Sequence, residues 1–235
     1  MDENLRAVVE KSQNIVFFGG AGVSTESGIP DFRSSGGLYS QKYKYPPEEM
    51  LSHDFLITHP EEFFDFQRDK MLHPDVRPNK AHYALAKLER MGKLKAVITQ
   101  NVDGLHQAAG SRMVLELHGS ILRHYCMRCH KKYGVEALSE SAGVPKCDCG
   151  GTIRPDVVLY GEGLDSDVMT SAAEYVAKSD VLIVGGTSLA VYPAAGLIHY
   201  FTGSRLVLIN KAPTLMDKRA DLIFRESIGE VMDLG

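Results

Sequence analysis

Ile15-Val16-Phe17-Phe18-Gly19-Gly20-Ala21-Gly22-Val23-Ser24 is the stretch that decides the fold: four consecutive apolar residues run straight into a glycine-rich turn. A short apolar run ended by a turn reads as a strand buried on both faces, and such strands belong to parallel sheets covered by helices. The same figure recurs downstream. Residues 96–98, 114–117 apart from Glu116, 181–184 and 206–209 are apolar and lead directly into Thr99-Gln100-Asn101-Val102-Asp103, His118, Gly185-Gly186-Thr187-Ser188 and Asn210. In an open α/β sheet the ligand crevice lies outside the carboxyl ends of the strands, so five polar strand ends predict one shared site.

Helices are predicted over 3–11, 60–72, 80–90, 167–178 and 194–201 and from 227 onward, with further strands over 157–160 and near 222. Pro60 suits a first helical turn, Glu61 and Glu62 favour the positive end of the helix dipole, and Gly92 ends the helix before it. Two stretches break the strand-helix rhythm. Residues 32–78 read as a helical insertion whose 34–47 portion, rich in Gly, Ser, Tyr and Pro, is expected to be a mobile loop of the kind that covers ligands. Residues 121–152 contain all four cysteines. The fold class expected is α/β. A Rossmann-like, doubly wound parallel sheet is built from 1–31, 79–120 and 153–235, with a helical insertion and its loop at 32–78 and a small cysteine-bearing lobe at 121–152.

At 235 residues the chain holds one substantial core and a smaller appended module. A net charge of -4 without any Lys/Arg run argues against a nucleic-acid partner and for a small molecule or another protein. The first twelve residues mix acids and bases with Leu5, Val8 and Val9 at helical spacing, which is neither a signal peptide nor a membrane span. A soluble, cytoplasmic protein with no membrane partner is expected. In a reducing compartment clustered thiols bind metal rather than pair.

Cys126-x-x-Cys129 and Cys147-x-Cys149 place two thiolate pairs on facing turns, a set that fits a closed tetrahedral zinc site. A closed site is structural, so catalysis is expected elsewhere. The second pair is tighter than the usual two-residue spacing, which leaves His130 as a substitute ligand, and disulfides or free thiols stand as the alternative.

Gly20-x-Gly22 leaves a strand and enters a predicted helical stretch, where glycines admit a pyrophosphate and helix N–H groups face it. Thr25 replaces the third glycine of a dehydrogenase fingerprint, no GK[ST] follows, and a ligand-free tight turn is the competing reading. Asp31-Phe32-Arg33 favours a ligand, since arginine pairs with phosphate and an aromatic ring covers a flat heterocycle. Gln100, Asn101 and Asp103 can hydrogen-bond an amide or ribose hydroxyls, although Asp103 can also cap the following helix through Gln107. His118 exits a strand on the ligand edge with a side chain suited to taking a proton near neutrality, the alternative being a structural histidine. His106, His124 and His130 are weaker candidates. Thr187, Ser188 and Asn210 can hold ribose and phosphate oxygens.

These residues together resemble the sirtuins, NAD-dependent protein deacylases, in their bacterial form. The matching stretches are Gly20-Ala21-Gly22-Val23-Ser24 through Ser27-Gly28-Ile29-Pro30-Asp31-Phe32-Arg33, then Thr99-Gln100-Asn101-Val102-Asp103-Gly104-Leu105-His106, Leu117-His118-Gly119, the cysteine quartet, Tyr160-Gly161-Glu162, Gly186-Thr187-Ser188-Leu189 and Ile209-Asn210. The resemblance implies an NAD-dependent protein-lysine deacetylase, with NAD consumed as co-substrate between a Rossmann-like lobe and a small lobe holding one structural zinc. It implies His118 as general base on the nicotinamide ribose, Asn101 orienting that ribose and a water, and Asp103, Val102 and Phe32 lining the nicotinamide pocket. Ala21, Thr25, Arg33, Gln100, Thr187, Ser188, Asn210 and Ile228 would contact the rest of the dinucleotide.

The implied reaction is attack of the acyl-lysine oxygen on ribose C1′, loss of nicotinamide, and release of lysine with O-acetyl-ADP-ribose. The acetylated protein or peptide would add as a strand between 158–161 and 189–192, a mode that tolerates many sequences. Sirtuins that prefer acidic acyl groups carry a Tyr-x-x-Arg pair, whereas here Asp65 stands three before Arg68, so acetyl is expected to be preferred. The alternatives are protein ADP-ribosyl transfer or another deacylation at the same NAD site, a noncatalytic NAD-sensing module, and a dehydrogenase. The last is disfavoured by the missing glycine and the lack of an acid about 20 residues on.

Overall fold

The computed structural model describes residues 1–234. Its strands, in chain order, are β1 (Ile15–Gly19), β2 (Leu94–Thr99), β3 (Val114–Glu116), β4 (Gly119–Cys126), β5 (Lys132–Gly134), β6 (Ile153–Val157), β7 (Val181–Gly185), β8 (Arg205–Ile209) and β9 (Leu222–Phe224). Six of them form a parallel sheet in the order β3-β2-β1-β7-β8-β9, the other three an antiparallel sheet in the order β5-β4-β6. The larger sheet is the doubly wound one expected. Consecutive residues of β1 enter opposite cores: Ile15 and Phe17 pack with Leu5, Leu85 and Leu88, whereas Val16 and Phe18 pack with Ala172, Val176 and Leu197. Every residue of β1 is buried, and each large apolar side chain so placed contributes roughly 1.5–3 kcal/mol.

The covering helices begin where capping chemistry starts them. Asp2 accepts from the amides of Asn4 and Leu5 at the head of Glu3–Lys11, and Asp165 accepts from Asp167 and Val168 at the head of Ser166–Lys178. Asn79 and His82 form a reciprocal capping box on Lys80–Arg90.

Four local expectations are corrected. The helix expected over 60–72 stops being α-helical at Pro60–Phe66 and continues as a π-helical turn, Gln67–Met71. Ala194–Tyr200 is a 3-10 rather than an α-helix. The glycine-rich turn opens into two 3-10 turns, Ala21–Val23 and Thr25–Ser27, so no α-helix N-terminus faces a ligand there. The strand expected over 157–160 lies earlier, as β6, and pairs antiparallel with β4, so the small sheet extends past both ends of 121–152.

The two insertions also share one core. Phe55, Leu56, Phe63 and Phe64 pack with Ile121, Leu138 and Leu159, making a single lobe out of segments the sequence reads separately. Among the described residues no helix is long and apolar enough to cross a membrane.

Candidate functional site

Parallel pairing in register carries the ends of β2, β1, β7 and β8 to one edge, with Thr99 opposite Gly19, Gly19 opposite Gly185, and Gly185 opposite Ile209. The turns that follow are joined to each other. A Cβ on Gly20 would lie 2.8 Å from Thr187 Cβ, and one on Gly22 would lie 2.7 Å from Gly186 Cα. The Gly22 amide donates to the Gly186 carbonyl at 2.8 Å, and Gly186 itself has φ +61°. These glycines are therefore required by the close approach of two protein turns, a reason distinct from the pyrophosphate inferred from the sequence. Asn79 braces the same turn, its Nδ2 donating to the Val23 carbonyl at 2.8 Å and to Ser27 Oγ at 3.0 Å.

At the end of β2 the polar residues form one network. The Ser24 hydroxyl donates to Asp103 Oδ2 at 2.6 Å and accepts from Asn101 Nδ2 at 3.1 Å. Asp103 Oδ1 accepts from the Leu105 amide at 2.9 Å, so Asp103 both caps the following turn and faces Ser24. Nothing in the sequence marks Ser24 as a link in this network. A serine two residues past the last glycine of a turn signals only a cap, and its partners lie 77 and 79 residues away.

Gln100 joins three elements. Its Nε2 donates to Thr187 Oγ1 at 3.2 Å, an atom that also accepts from the Leu189 amide at 3.2 Å. Its backbone carbonyl lies 2.9 Å from His118 Nδ1. A carbonyl oxygen can only accept, so Nδ1 carries the proton and the neutral ring keeps a lone pair on Nε2. Burial lowers the His118 pKa below the ordinary imidazole value, opposed in part by this hydrogen bond, and the neutral form prevails at neutrality.

The other predicted residues are placed unevenly. Phe32 lies edge-on to Tyr39 with centroids 5.5 Å apart, and the Arg33 guanidinium sits 5.6 Å from the Tyr39 centroid. Thr25 Oγ1 donates to the Gly22 carbonyl at 3.0 Å, and Ser188 is exposed. Asn210 Nδ2 is turned onto the Ala212 carbonyl at 2.7 Å. The side chain of Ile228 is buried in the core beside Phe17 and Val231, so any role at the cleft falls to its backbone. Val102 packs against the shared core of the two insertions, and Ala21 opens the first 3-10 turn.

His106 and His124 are buried, with pKa values lowered by burial to about 3 and about 4. They are neutral core residues. His130 is exposed in a left-handed turn and stands outside the thiol cluster.

The four thiols converge. Their sulfurs all lie within 4.8 Å of one another, with Cys126–Cys149 at 3.5 Å and Cys129–Cys147 at 3.6 Å. Those separations exceed a disulfide bond of about 2.05 Å. They match the edge of about 3.8 Å expected of a tetrahedron with Zn–S near 2.3 Å. The Arg128 amide donates to Cys126 Sγ at 3.4 Å and the Tyr133 hydroxyl to Cys147 Sγ at 3.0 Å, the outer hydrogen bonds that thiolate ligands attract. The Tyr133 hydroxyl is the main cause that lowers the Cys147 pKa. Four converging sulfurs fit a structural zinc, and the short Cys147-x-Cys149 spacing does not prevent it.

A Rossmann-like sheet with polar strand ends and a separate four-thiolate lobe defines an α/β nucleotide-type protein carrying a closed metal module. The Sir2 family model matches residues 20–193. Relatives named NAD-dependent protein deacetylase are 58% identical in Clostridium perfringens (97% of this chain, 95% of the relative) and 46% identical in Staphylococcus aureus (98% and 96%). A solved Sir2 structure with a deacetylated p53 peptide and 3′-O-acetyl-ADP-ribose superposes with a TM-score of 0.90 at 42% identity, covering 98% of this chain and 95% of that one. Another, with a p53 peptide and NAD+, gives 0.87 at 42% identity, with 99% and 96% covered. The chain belongs to the Sir2 family.

Proposed function

We propose that this protein is an NAD-dependent protein-lysine deacetylase, transferring the acetyl group of acetyl-lysine to ADP-ribose with release of nicotinamide. The observation that carries the reading is the tautomer of His118. The Gln100 carbonyl holds the proton on Nδ1 and leaves Nε2 as the acceptor that takes a proton from a ribose hydroxyl.

Bound NAD supplies the ribose–nicotinamide bond whose cleavage opens C1′ to the acyl oxygen. Asn101 and Asp103, locked together through Ser24, present fixed polar groups to the nicotinamide end, with Val102 and Phe32 as apolar walls. Ala21, Thr25, Arg33, Gln100, Thr187, Ser188, Asn210 and the backbone of Ile228 are assigned to the rest of the dinucleotide. The metal module, extended to the ends of β4 and β6, and the helical insertion frame the cleft against the Rossmann-like unit. One edge of 158–161 is already bridged to Ser52, so an acetylated peptide is assigned to the opposite edge, facing 189–192. A cytoplasmic location belongs to the same proposal, since four reduced thiols need a reducing compartment.

Incubation with NAD and an acetyl-lysine peptide is expected to release nicotinamide together with O-acetyl-ADP-ribose in equal amounts. A peptide that keeps its acetyl group and gains ADP-ribose would replace this reading with ADP-ribosyl transfer.

The acyl group follows from Arg68. Its Nη1 donates to Asp65 at 3.2 Å, its Nε to the Ser141 carbonyl at 3.3 Å, and its Nη2 to the Gly143 carbonyl, so the guanidinium is committed to protein partners. A succinyl carboxylate would be left without a cation, and an unpaired buried charge costs more than the roughly 1–3 kcal/mol of an unpaired neutral group. kcat/KM for an acetyl peptide is expected to exceed that for the matched succinyl peptide by at least about tenfold; the reverse order in a paired assay would refute the assignment.

A further inference from the structure

The segment 32–47 carries Phe32 and Arg33 yet has no longer element before Pro47 than the 3-10 turn Leu38–Ser40. Its position rests on individual contacts rather than on a ladder of backbone bonds: Leu38 is buried in the shared core, Tyr43 and Tyr45 pack on Phe66 and Phe55, and the contacts of the end that bears Phe32 and Arg33 meet at Tyr39. The Tyr39 amide donates to the Phe32 carbonyl at 2.8 Å. Its ring meets Phe32 edge-on and lies under the Arg33 guanidinium. Its hydroxyl stands 2.7 Å from the hydroxyl of Tyr160.

Tyr160 belongs to a different segment of the same lobe, 158–161, and is fixed there by backbone bonds. Its amide donates to the Leu51 carbonyl and its carbonyl accepts from the His53 amide, each at 3.0 Å. The neighbouring Leu159 amide donates to Glu162 at 2.9 Å, and Glu162 is held in turn by Arg154 and His53. One phenol therefore sits on the segment assigned to NAD and the other on the segment assigned to the peptide.

We propose that the Tyr39–Tyr160 hydroxyl pair is a positioning device that couples the two substrates, fixing the cofactor segment against the peptide segment so that binding of either tightens the other. This rests on the proposed function. The first ligand to bind bears the cost of ordering the joined segments and the second does not, which is positive coupling and is reciprocal by necessity. Burial raises the Tyr39 phenol well above its ordinary range, so the shared proton is present at any pH at which the enzyme would be assayed.

Calorimetric titration of an acetyl-lysine peptide, without and with saturating ADP-ribose, tests the proposal in wild type, Tyr39→Phe, Tyr160→Phe and the double variant. Each phenylalanine keeps the ring and removes only the hydroxyl. ADP-ribose is expected to tighten the peptide in wild type, and each single variant to lose roughly threefold to tenfold of that ratio, the worth of one net hydrogen bond. The double variant should lose no more than either single one. A purely structural role would lower Tm and weaken the peptide equally in both titrations, leaving the ratio intact. An intact ratio in either single variant, or losses that add in the double, overturns the coupling. Wild type that shows no ratio while still releasing nicotinamide with acetyl peptide overturns the coupling alone. Absence of that release overturns the proposed function and the coupling with it.

Discussion

Cys126→Ser is expected to leave the protein without zinc by elemental analysis and to lower its Tm by more than about 10 °C. Around the thiols themselves little else holds the small lobe, whose other buried residues, Ile121 and Leu138, pack into the core shared with the helical insertion. Apart from the metal ligands Cys126 and Cys147, its own core consists of Ile153 with Tyr133 and Ala137 only partly buried against it. Modules of this size rarely fold on apolar burial alone, and below about 40 residues a metal or disulfides are usually needed. Structural zinc contributes roughly 10–16 kcal/mol in comparable four-ligand sites. Even a fraction of that, at about 2–4 °C per kcal/mol for a chain of this length, exceeds 10 °C.

The loss should not stay local. Ile121 and Leu138 pack in one core with Phe55, Phe63 and Phe64 of the helical insertion, so collapse of the metal lobe also loosens the segment bearing Phe32 and Arg33. Activity is therefore expected to fall with Tm, although no cysteine is assigned a chemical role. A chelator should reproduce both losses in wild type, and added zinc should reverse them. A zinc-free variant with wild-type Tm would remove the metal from the account.

How far the sequence reaches depends on the range of each interaction. Apolar runs buried on both faces need no partner to be recognised, which is why β1, β7 and β8 fall where the runs 15–18, 181–184 and 206–209 place them. Caps are equally local: the helices Glu3–Lys11 and Lys80–Arg90 match their predicted limits, with Asp2 and Asn79 starting them. Helix type is another matter. Ala194–Tyr200 tightens to a 3-10 form, and Gln67–Met71 widens to a π-turn, through packing that periodicity over a few residues does not encode.

β6 shows the same limit. Ile153–Val157 pairs with β4 rather than joining the parallel sheet, a choice made by the partner strand and not by its own composition. At the site, residue types at strand ends were legible but their mutual bonds were not. Gln100 attracts notice for its amide side chain, yet it is its backbone carbonyl that sets the His118 tautomer. Ile228 reads as a cleft residue from family pattern, whereas burial assigns its side chain to the core. Gly20 and Gly22 suggest a phosphate cradle, and their contacts with Gly186 and Thr187 show a second requirement that no spacing rule contains.

His118→Ala is expected to lower the deacetylation rate by about 10²–10⁴-fold, the usual contribution of a positioned general base, with little change in Tm. Among the described residues the ring makes one hydrogen bond, to the Gln100 carbonyl, and it is only half-buried, so its removal costs the fold far less than the chemistry. Three features equip it for the role. Its tautomer is set by an acceptor that cannot donate, its neutral form is favoured by burial, and it follows β3 on the edge where the other polar strand ends gather. The sign of the pH dependence follows. A base works only when unprotonated, and His118 has its pKa moved below the free imidazole value of about 6.5, so activity should persist as pH falls past 6.5 and decline only below it. The acid limb of kcat/KM, which reports the free enzyme, is the measurement. An acid limb centred above 6.5 would contradict the burial, and one that survives unchanged in a still-active His118→Ala would assign the proton to another group. The variant also separates steps: if His118 acts on a ribose hydroxyl after nicotinamide has left, exchange of labelled nicotinamide into NAD should outlast deacetylation. Equal loss of both would place His118 in binding rather than in proton transfer.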